Sequence, residues 1–214
     1  MLFIGICGAS GSGKTTLAEE LSKMVNKRIL IINQDAYYYD HPDMSFEERC
    51  ALNYDEPSIF EHDLLLEDVR CLLKGKHVLR KRYDYPNHRR APQAEEYLEP
   101  HDVIIIEGIH AFYDERLREL MDLKLYVRVD SDICLLRRIQ RDINERGRAI
   151  DNISAQYLTT VKPMFDRYIR SYEQYADVIV AGGGKNAKIN EILASYINND
   201  LRMYSGQSRR RTNA

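Results

Sequence analysis

Hydrophobic positions along the chain fall into two alternating patterns. Five short runs are rich in β-branched residues and lack the two-residue alternation of a half-exposed strand. They span residues 2–7, 28–33, 103–107, 124–129 and 178–180. Such runs are typical of strands buried on both faces. Between them lie apolar residues at helical spacing, such as Leu17, Leu21 and Met24 before the second run. The alternation predicts an α/β fold with a five-stranded, parallel sheet flanked by helices.

Local signals set the bounds of further helices. Ser45 and Glu48 form a capping-box pattern, which predicts that a helix begins near Phe46. An apolar stripe at residues 65–73 is followed by Gly75, a residue typical of helix ends. The segment 77–98 interrupts the alternation of strands and helices because it is polar, aromatic and rich in turn residues. We predict that it is an inserted β-hairpin lobe.

A helix rich in arginine is predicted over residues 132–148. Ile133, Leu136, Ile139 and Ile143 recur on one side of it. Arg137, Arg138 and Arg141 lie at its other positions, and Arg146 and Arg148 follow them at the end of the segment.

Composition and charge narrow the classes of function. The 214 residues include 31 Lys and Arg against 33 Asp and Glu, a formal net charge of -2. This balance gives no overall positive field to attract nucleic acid or an anionic membrane. No apolar run approaches the ~20 residues that span a bilayer. We expect a cytoplasmic protein with one domain over residues 1–204 and a basic, disordered tail over 205–214.

The four cysteines carry no metal or disulfide signature. Cys7, Cys50, Cys71 and Cys134 are scattered, with no CxxC motif or Cys/His cluster. The spacing predicts free, buried thiols.

A phosphate-binding motif follows the first predicted strand and leads into the first helix. It consists of Gly8, Ala9, Ser10, Gly11, Ser12, Gly13, Lys14 and Thr15, which match GxxxxGK[ST] in full. Glycines let backbone N–H groups turn toward a phosphate, Lys14 reaches the β and γ phosphates, and the Thr15 hydroxyl can ligate Mg²⁺. Together with Thr16, these residues predict a P-loop for a nucleoside triphosphate.

The motif alone does not state the reaction. Residues 26–29, Asn-Lys-Arg-Ile, lack the acidic residue of a guanine-reading NKxD motif and lie too near the P-loop for a regulatory GTPase. The size fits a small-molecule kinase. Asp35 follows the second strand at the same sheet edge, where a carboxylate can accept a hydroxyl proton or bind Mg²⁺. Glu107 ends the third strand and is a candidate metal ligand.

Together with further residues along the chain, these motifs resemble those of the uridine/cytidine kinases, especially the bacterial ones. The matching positions run in order along nearly the whole chain. They are the P-loop, Gln34-Asp35, Asn53-Tyr54-Asp55, Tyr83, His88, Glu107-Gly108-Ile109, Arg138, residues 141–148 (RDINERGR), Gln156, Lys162-Pro163 and Tyr175-Ala176-Asp177. The resemblance implies transfer of the γ-phosphoryl group of ATP or GTP to the 5'-hydroxyl of uridine or cytidine, with Mg²⁺. It also implies pyrimidine salvage and a homotetramer.

The resemblance also implies roles for individual residues. It assigns Asp35 as catalytic base, and Thr15, Asp35 and Glu107 as ligands of Mg²⁺. Asp55 would accept from the ribose hydroxyls, since one carboxylate can accept from two vicinal donors. The remaining nucleoside contacts would be Tyr38, Tyr83, Tyr85, His88, Arg138, Arg148 and Gln156. Tyr85 would offer a stacking face, and either tautomer of His88 would suit the uracil carbonyl or the cytosine amine.

A mobile lid is implied over residues 137–148. Its arginines Arg141, Arg146 and Arg148 would neutralise charge that spreads over the phosphates in a loose transition state. We therefore count Lys14, Arg141 and Arg146 with Asp35 as the catalytic set. Gln156 would support the lid, and the loop at residues 182–186 would lie beside the donor base.

Two departures keep other functions open. Glu56 stands where the family usually has His, and residues 80–82, Arg-Lys-Arg, replace a more apolar segment. With Arg89 and Arg90, these cations would suit a kinase of a phosphorylated sugar, like the related phosphoribulokinases. A non-catalytic nucleotide-binding regulator with the same fold is a further alternative.

Overall fold

The structure is a computed structural model, and it describes residues 1–91 and 96–199. Within these ranges the strands are β1 (Leu2–Gly8), β2 (Ile29–Asn33), β3 (Val78–Leu79), β4 (Tyr83–Asp84), β5 (Arg89–Arg90), β6 (Tyr97–Leu98), β7 (Val103–Glu107), β8 (Leu123–Arg128) and β9 (Val178–Ala181). The α-helices are α1 (Lys14–Met24), α2 (Phe46–Cys50), α3 (His62–Leu73), α4 (Glu115–Arg118), α5 (Ser131–Asn144), α6 (Ile150–Gln156), α7 (Lys162–Arg167) and α8 (Ala187–Asn198). A π-helix spans Tyr157–Val161, and short 3₁₀ helices span Gln34–Tyr37, Pro57–Ile59 and Ile169–Tyr175.

The central sheet has five parallel strands in the order β2-β7-β1-β8-β9. Side chains of β1 alternate between two cores: Phe3 and Cys7 pack in one, and Leu2, Ile4 and Ile6 in the other. Helix α3 covers the first face, while α1 and α8 cover the second. Both faces are buried, so the strand sequences are continuously apolar. The predicted α/β class and the five strands are confirmed.

Three predicted boundaries can be compared with the structure. The capping box of α2 is present, because Ser45 and Glu48 each accept the other's backbone N–H. Helix α3 ends at Leu73, two residues before Gly75, whose φ of 78° lies in the left-handed region. The predicted arginine-rich helix ends at Asn144 rather than near Arg148, with Gly147 at φ 63° in the turn that follows.

The inserted lobe consists of two short antiparallel pairs. Strand β3 pairs with β6, and β4 pairs with β5. The outer pair joins the lobe to the body, and the inner pair extends it. The predicted hairpin character is therefore confirmed within the part of the lobe that the structure describes.

Helix α5 turns its charged side toward the protein. Cys134, Arg138 and Asp142 are buried, whereas Leu136 is 58% exposed and Ile143 is 42% exposed. Periodicity identified the apolar stripe, but this stripe is not the packed face. The charged side can be packed because the buried Arg138 is paired with the buried Asp142 carboxylate.

The thiol prediction is only partly right. Cys7 and Cys134 are buried and all four cysteines are free, but Cys50 is exposed and Cys71 is half-buried. Burial raises the pKa of the Cys7 thiol to about 12, so it stays protonated. Every helix in residues 1–91 and 96–199 is too short or too polar to cross a membrane. The predicted basic tail, 205–214, lies outside the described residues.

Candidate active site

A cleft that opens to solvent lies at the carboxyl ends of the sheet strands. This is the edge where α/β proteins bind ligands. The predicted residues that line it are Ser10, Lys14, Thr15, Asp35, Tyr38, Asp55, Tyr83, Tyr85, His88, Glu107, Arg138, Arg141, Arg146, Arg148 and Gln156. The fold thus brings together every predicted catalytic, substrate and metal-binding side chain, although these are distributed over the chain from residue 10 to residue 156.

The P-loop separates this cleft from a second one. Gly11, Gly13 and Thr16 line the second cleft together with Arg141, which contributes to both. Gly182, Gly184 and Lys185 of the predicted base-side loop lie there too. The remaining P-loop residues, Gly8, Ala9 and Ser12, do not line either cleft; Ser12 is buried within the loop. The P-loop is therefore accessible from two sides.

Glycine and lysine determine the shape of the P-loop. Gly11 has a φ of 82°, and a Cβ atom there would lie 2.2 Å from the carbonyl oxygen of Cys134, so the loop can pass α5 this closely only with glycine. The Lys14 amine donates to the carbonyl of Ala9 at 3.0 Å. Burial lowers the pKa of Lys14, while Glu107 opposes this shift. The amine is thus held inside the loop before any phosphate is bound.

Thr15 and Glu107 meet at the end of β7. The Thr15 hydroxyl donates to Oε1 of Glu107 at 3.0 Å. Burial raises the pKa of the Glu107 carboxyl, against the lowering effect of Lys14. Residues 1–91 and 96–199 hold no group of three or more His, Cys, Asp and Glu arranged for a metal ion. Mg²⁺ in kinases is commonly held by one or two carboxylates plus substrate phosphates, so a hydroxyl and nearby carboxylates fit this ion.

Asp35 stands at the centre of a short chain of contacts. Its backbone N–H is capped by the Asn33 side chain at 2.8 Å, which fixes the turn after β2. The Tyr85 hydroxyl, from the inserted lobe, donates to Oδ2 of Asp35 at 2.8 Å. The Arg146 guanidinium lies 4.0 Å from the centre of the Tyr85 ring. One ring face that we expected to stack on substrate is therefore covered by Arg146.

Asp55 is a buried carboxylate held from two sides. Its side chain is only 5% exposed, and Oδ2 accepts from the Thr160 hydroxyl at 3.0 Å. Its backbone carbonyl accepts from Nε2 of the buried His110 at 2.7 Å, while Nδ1 of His110 accepts from the Tyr172 hydroxyl at 3.0 Å. Burial raises the pKa of Asp55, opposed by Arg138 and by the Thr160 hydrogen bond. Burial likewise lowers the pKa of His110 to about 4, so its ring is neutral at pH 7.

Four arginines converge on one carboxylate. Asp142 is fully buried and lies 2.8 Å from Arg141, 3.4 Å from Arg146, 3.6 Å from Arg138 and 3.9 Å from Arg148. Burial would raise the pKa of Asp142, but the arginines outweigh it and the net shift is downward. The negative charge of Asp142 thus reduces the electrostatic repulsion among the four arginines in the cleft.

Gln156 and His88 organise the other end of the cleft. Oε1 of Gln156 accepts from Arg138 at 2.8 Å and from Arg148 at 2.7 Å. Arg148 also contacts Nε2 of His88 at 3.1 Å. Because guanidinium only donates, Nε2 must accept, which leaves the proton of the neutral ring on Nδ1. Burial and Arg148 lower the pKa of His88 to about 4, so this neutral form prevails at pH 7.

The Nδ1–H of His88 is buried and donates to no other group within residues 1–91 and 96–199. It is therefore available as a donor, which suits a carbonyl oxygen. Our expectation that either tautomer would serve is replaced by this single tautomer. The rings of the trio Tyr38, Tyr54 and Tyr83 contact one another with centroids 4.9–6.1 Å apart, and the Tyr54 ring lies 5.0 Å from that of His88.

The basic residues of the lobe are neutralised locally. Arg80 and Arg82 pair with Glu96 at 2.9 and 2.5 Å, Lys81 pairs with Asp68, Arg90 with Glu61, and Arg89 lies 3.9 Å from Asp84. These five cations do not line the cleft. Glu56 accepts from the Tyr168 hydroxyl at 3.0 Å and is likewise outside it.

Several supporting residues were missed in the sequence. Asp142 lies inside the arginine run, and its single negative charge among cations was a usable signal. Thr160, His110 and Tyr172 carry no local pattern, because their partners are 55–105 residues away in the chain.

A P-loop, a carboxylate at the neighbouring strand end and an arginine cluster over both define a P-loop kinase. Comparison with known proteins agrees. The model of the Phosphoribulokinase / Uridine kinase family matches residues 3–188, so the chain belongs to this family.

Two relatives and one solved structure illustrate the similarity. A uridine kinase of Latilactobacillus sakei is 46% identical over 203 residues, covering 94% of this chain and 95% of that protein. A uridine kinase of Leuconostoc citreum is 44% identical over 197 residues, covering 91% and 93%. A structure described as a possible uridine kinase from Bacillus stearothermophilus has the same fold, with a TM-score of 0.58, 20% identity, and coverage of 84% and 88%.

Proposed function

We propose that the protein phosphorylates uridine and cytidine at the 5'-hydroxyl, with ATP or GTP as donor, giving UMP and CMP for pyrimidine salvage. The observation that carries the proposal is the cleft itself, in which Asp35 and Asp55 lie beside the P-loop. One carboxylate suits the attacking hydroxyl and the other suits the remaining sugar hydroxyls. The uridine kinase names of relatives 44–46% identical over most of the chain support the same substrate.

In the proposed mechanism Asp35 accepts the proton of the 5'-hydroxyl. The Tyr85 hydroxyl holds Oδ2 of Asp35, so that the other oxygen is available to the acceptor. Because Asp35 is already held in place, little rearrangement is needed to reach the geometry in which it can accept the proton. Lys14 exchanges its hydrogen bond to Ala9 for one to a phosphate. Arg141 and Arg146 neutralise charge on the transferring group.

Thr15, Glu107 and Asp35 are proposed to hold the Mg²⁺ ion, directly or through water. When bound, the ion would neutralise negative charge on the phosphates of the donor. The oxygen-only donor set and the hydrogen bond between Thr15 and Glu107 support this assignment.

The nucleoside is proposed to lie between Asp55 and the aromatic trio. Asp55 accepts from the 2'- and 3'-hydroxyls, and Nδ1–H of His88 donates to a carbonyl of the pyrimidine. Uracil offers a carbonyl at the position where cytosine has an amine, so His88 favours uridine where it meets that edge. Tyr38, Tyr83, Arg138, Arg148 and Gln156 line the same cleft and are proposed to complete the pocket.

The alternatives are less well supported. A phosphorylated-sugar substrate needs free positive charge at the acceptor pocket, but the cations of the lobe are paired with carboxylates outside the cleft. A non-catalytic regulator would not require base, metal and lid residues in one cleft. The proposal extends to a single kinase domain over residues 1–204, a lid at 137–148, a homotetramer and a cytoplasmic location.

The test is ADP release with Mg²⁺ and either ATP or GTP across a panel of acceptors: uridine, cytidine, adenosine and ribulose 5-phosphate. We expect uridine to give the highest kcat/KM and cytidine to follow. Turnover of ribulose 5-phosphate alone would select the sugar kinase, and silence across the panel would select the regulator.

Arg146 offers a test of the lid. We expect Arg146→Ala to lower turnover about tenfold while changing the uridine KM less than threefold, because its charge matters mainly in the transition state. Arg70→Ala, the same change at an exposed position of α3 that lines neither cleft, is the control. An unchanged turnover number in Arg146→Ala would leave Arg146 as a structural partner of Tyr85.

A further inference from the structure

Thr160 makes a contact that the proposed chemistry does not yet use. Its hydroxyl donates to Oδ2 of Asp55 at 3.0 Å and lies 3.1 Å from the carbonyl of Gln156. A single hydroxyl proton is shared between these acceptors, and the charged carboxylate is the stronger one. Among the residues that the structure describes, this is the one hydrogen bond given to the Asp55 carboxylate. Oδ1 therefore keeps its full capacity to accept.

The local backbone explains how Thr160 reaches Asp55. Residues 157–161 form a π-helix, an element whose wider turn changes which side chains face a neighbour. Gln156 directly precedes this turn and contacts Arg138 and Arg148, while Thr160 lies within it and contacts Asp55. The adjacent Thr159 has its hydroxyl bonded to the carbonyl of Ala155 and is exposed. Of the two consecutive threonines, Thr160 thus contacts a residue of the cleft and Thr159 does not.

Charged groups around Asp55 influence the direction in which its carboxylate points. Arg138 is buried at 5% exposure and has its Nη atoms committed to Ser10 and Gln156, so it balances Asp55 from a distance and does not fix the carboxylate. Arg148 also attracts the Asp55 carboxylate, whereas Asp35 repels it. Without a direct donor, the Asp55 carboxylate is free to rotate toward the arginines.

We infer that Thr160 is a positioning residue that holds Oδ2 of Asp55 and so directs Oδ1 to the sugar hydroxyls of the substrate. Thr160 thereby contributes to the choice of ribonucleosides over 2'-deoxyribonucleosides. The inference rests on the proposed role of Asp55. A substrate with both hydroxyls gains most from a fixed acceptor, and a substrate without the 2'-hydroxyl gains less.

The test compares Thr160→Val, Thr160→Ser and Thr159→Val with the unmutated chain, using uridine and 2'-deoxyuridine. Valine keeps the volume of threonine and removes the donor. We expect Thr160→Val to lower kcat/KM for uridine about tenfold and that for 2'-deoxyuridine less than threefold, which narrows the ratio. Thr160→Ser restores the donor and should keep the ratio within about twofold, as should Thr159→Val.

The outcomes separate the inference from the proposed function. An unchanged ratio in Thr160→Val, or a serine variant that behaves like the valine variant, overturns the inference. If Thr160→Val does not fold, Thr160→Ala against Thr160→Ser makes the same comparison. Failure of the unmutated chain to turn over uridine overturns the proposed function and the inference with it, whereas normal uridine turnover with an unchanged ratio overturns the inference alone.

Discussion

Asp35→Asn is expected to retain ATP binding and to lower turnover by about 10²- to 10⁴-fold, the usual effect of removing a positioned base. The amide keeps the size of the side chain and can still accept from the Tyr85 hydroxyl, so the fold of the site should persist. What it loses is the capacity to take the proton of the acceptor hydroxyl. Single-turnover measurement of phosphoryl transfer, with ATP affinity determined separately by calorimetry, distinguishes these two effects.

The matched control for Asp35→Asn is Asp43→Asn. Asp43 is exposed and lies in the same connection between β2 and α2, so the same chemical change there should leave turnover within about twofold. A loss smaller than tenfold in Asp35→Asn would remove Asp35 from the role of base. Weakened ATP binding with normal single-turnover chemistry would instead indicate that Asp35 acts only as a Mg²⁺ ligand.

Uridine is expected to exceed 2'-deoxyuridine in kcat/KM by at least about 10²-fold, or about 2.7 kcal/mol. Loss of the 2'-hydroxyl leaves a lone pair of the buried Asp55 carboxylate without a partner in the closed site. Asp55→Ala should narrow this ratio chiefly by damaging the uridine reaction. Initial rates over a range of both nucleosides at saturating ATP give the ratio for each variant.

The control for this prediction is Asp55→Asn, which retains an acceptor oxygen without the charge. We expect it to give an intermediate ratio. Comparable rates for the two nucleosides in the unmutated enzyme would show that Asp55 does not distinguish the sugars. An unchanged ratio in Asp55→Ala would assign Asp55 to the support of its loop, where its carbonyl already binds His110.

Sequence reasoning predicted the features that are encoded locally. The P-loop has a fixed spacing, strands buried on both faces read as continuous apolar runs, and the capping box of Ser45 and Glu48 is complete within four residues. Family resemblance supplied Asp55, His88 and Gln156, whose individual patterns are those of ordinary loop or helix residues. The structure places all three in the cleft, while their roles stay predictions.

The failures have a common physical origin. Helix α5 shows that periodicity identifies an apolar stripe but not which side is packed, because the buried Arg138 is paired with a buried carboxylate, Asp142. The tautomer of His88 depends on Arg148, sixty positions further along the chain. Such long-range pairing cannot be read from spacing.

The inserted lobe has a consequence for how this kind of enzyme changes in evolution. The residues proposed to contact the phosphoryl donor come from the P-loop, α5 and the turn after it, whereas Tyr83, Tyr85 and His88 come from one contiguous segment between α3 and β7. Acceptor preference can therefore drift through mutations in that segment while the machinery for the phosphates is preserved. The hydrogen bond that the Tyr85 hydroxyl donates to Asp35 limits this freedom, since a lobe of different sequence must supply an equivalent donor to Asp35.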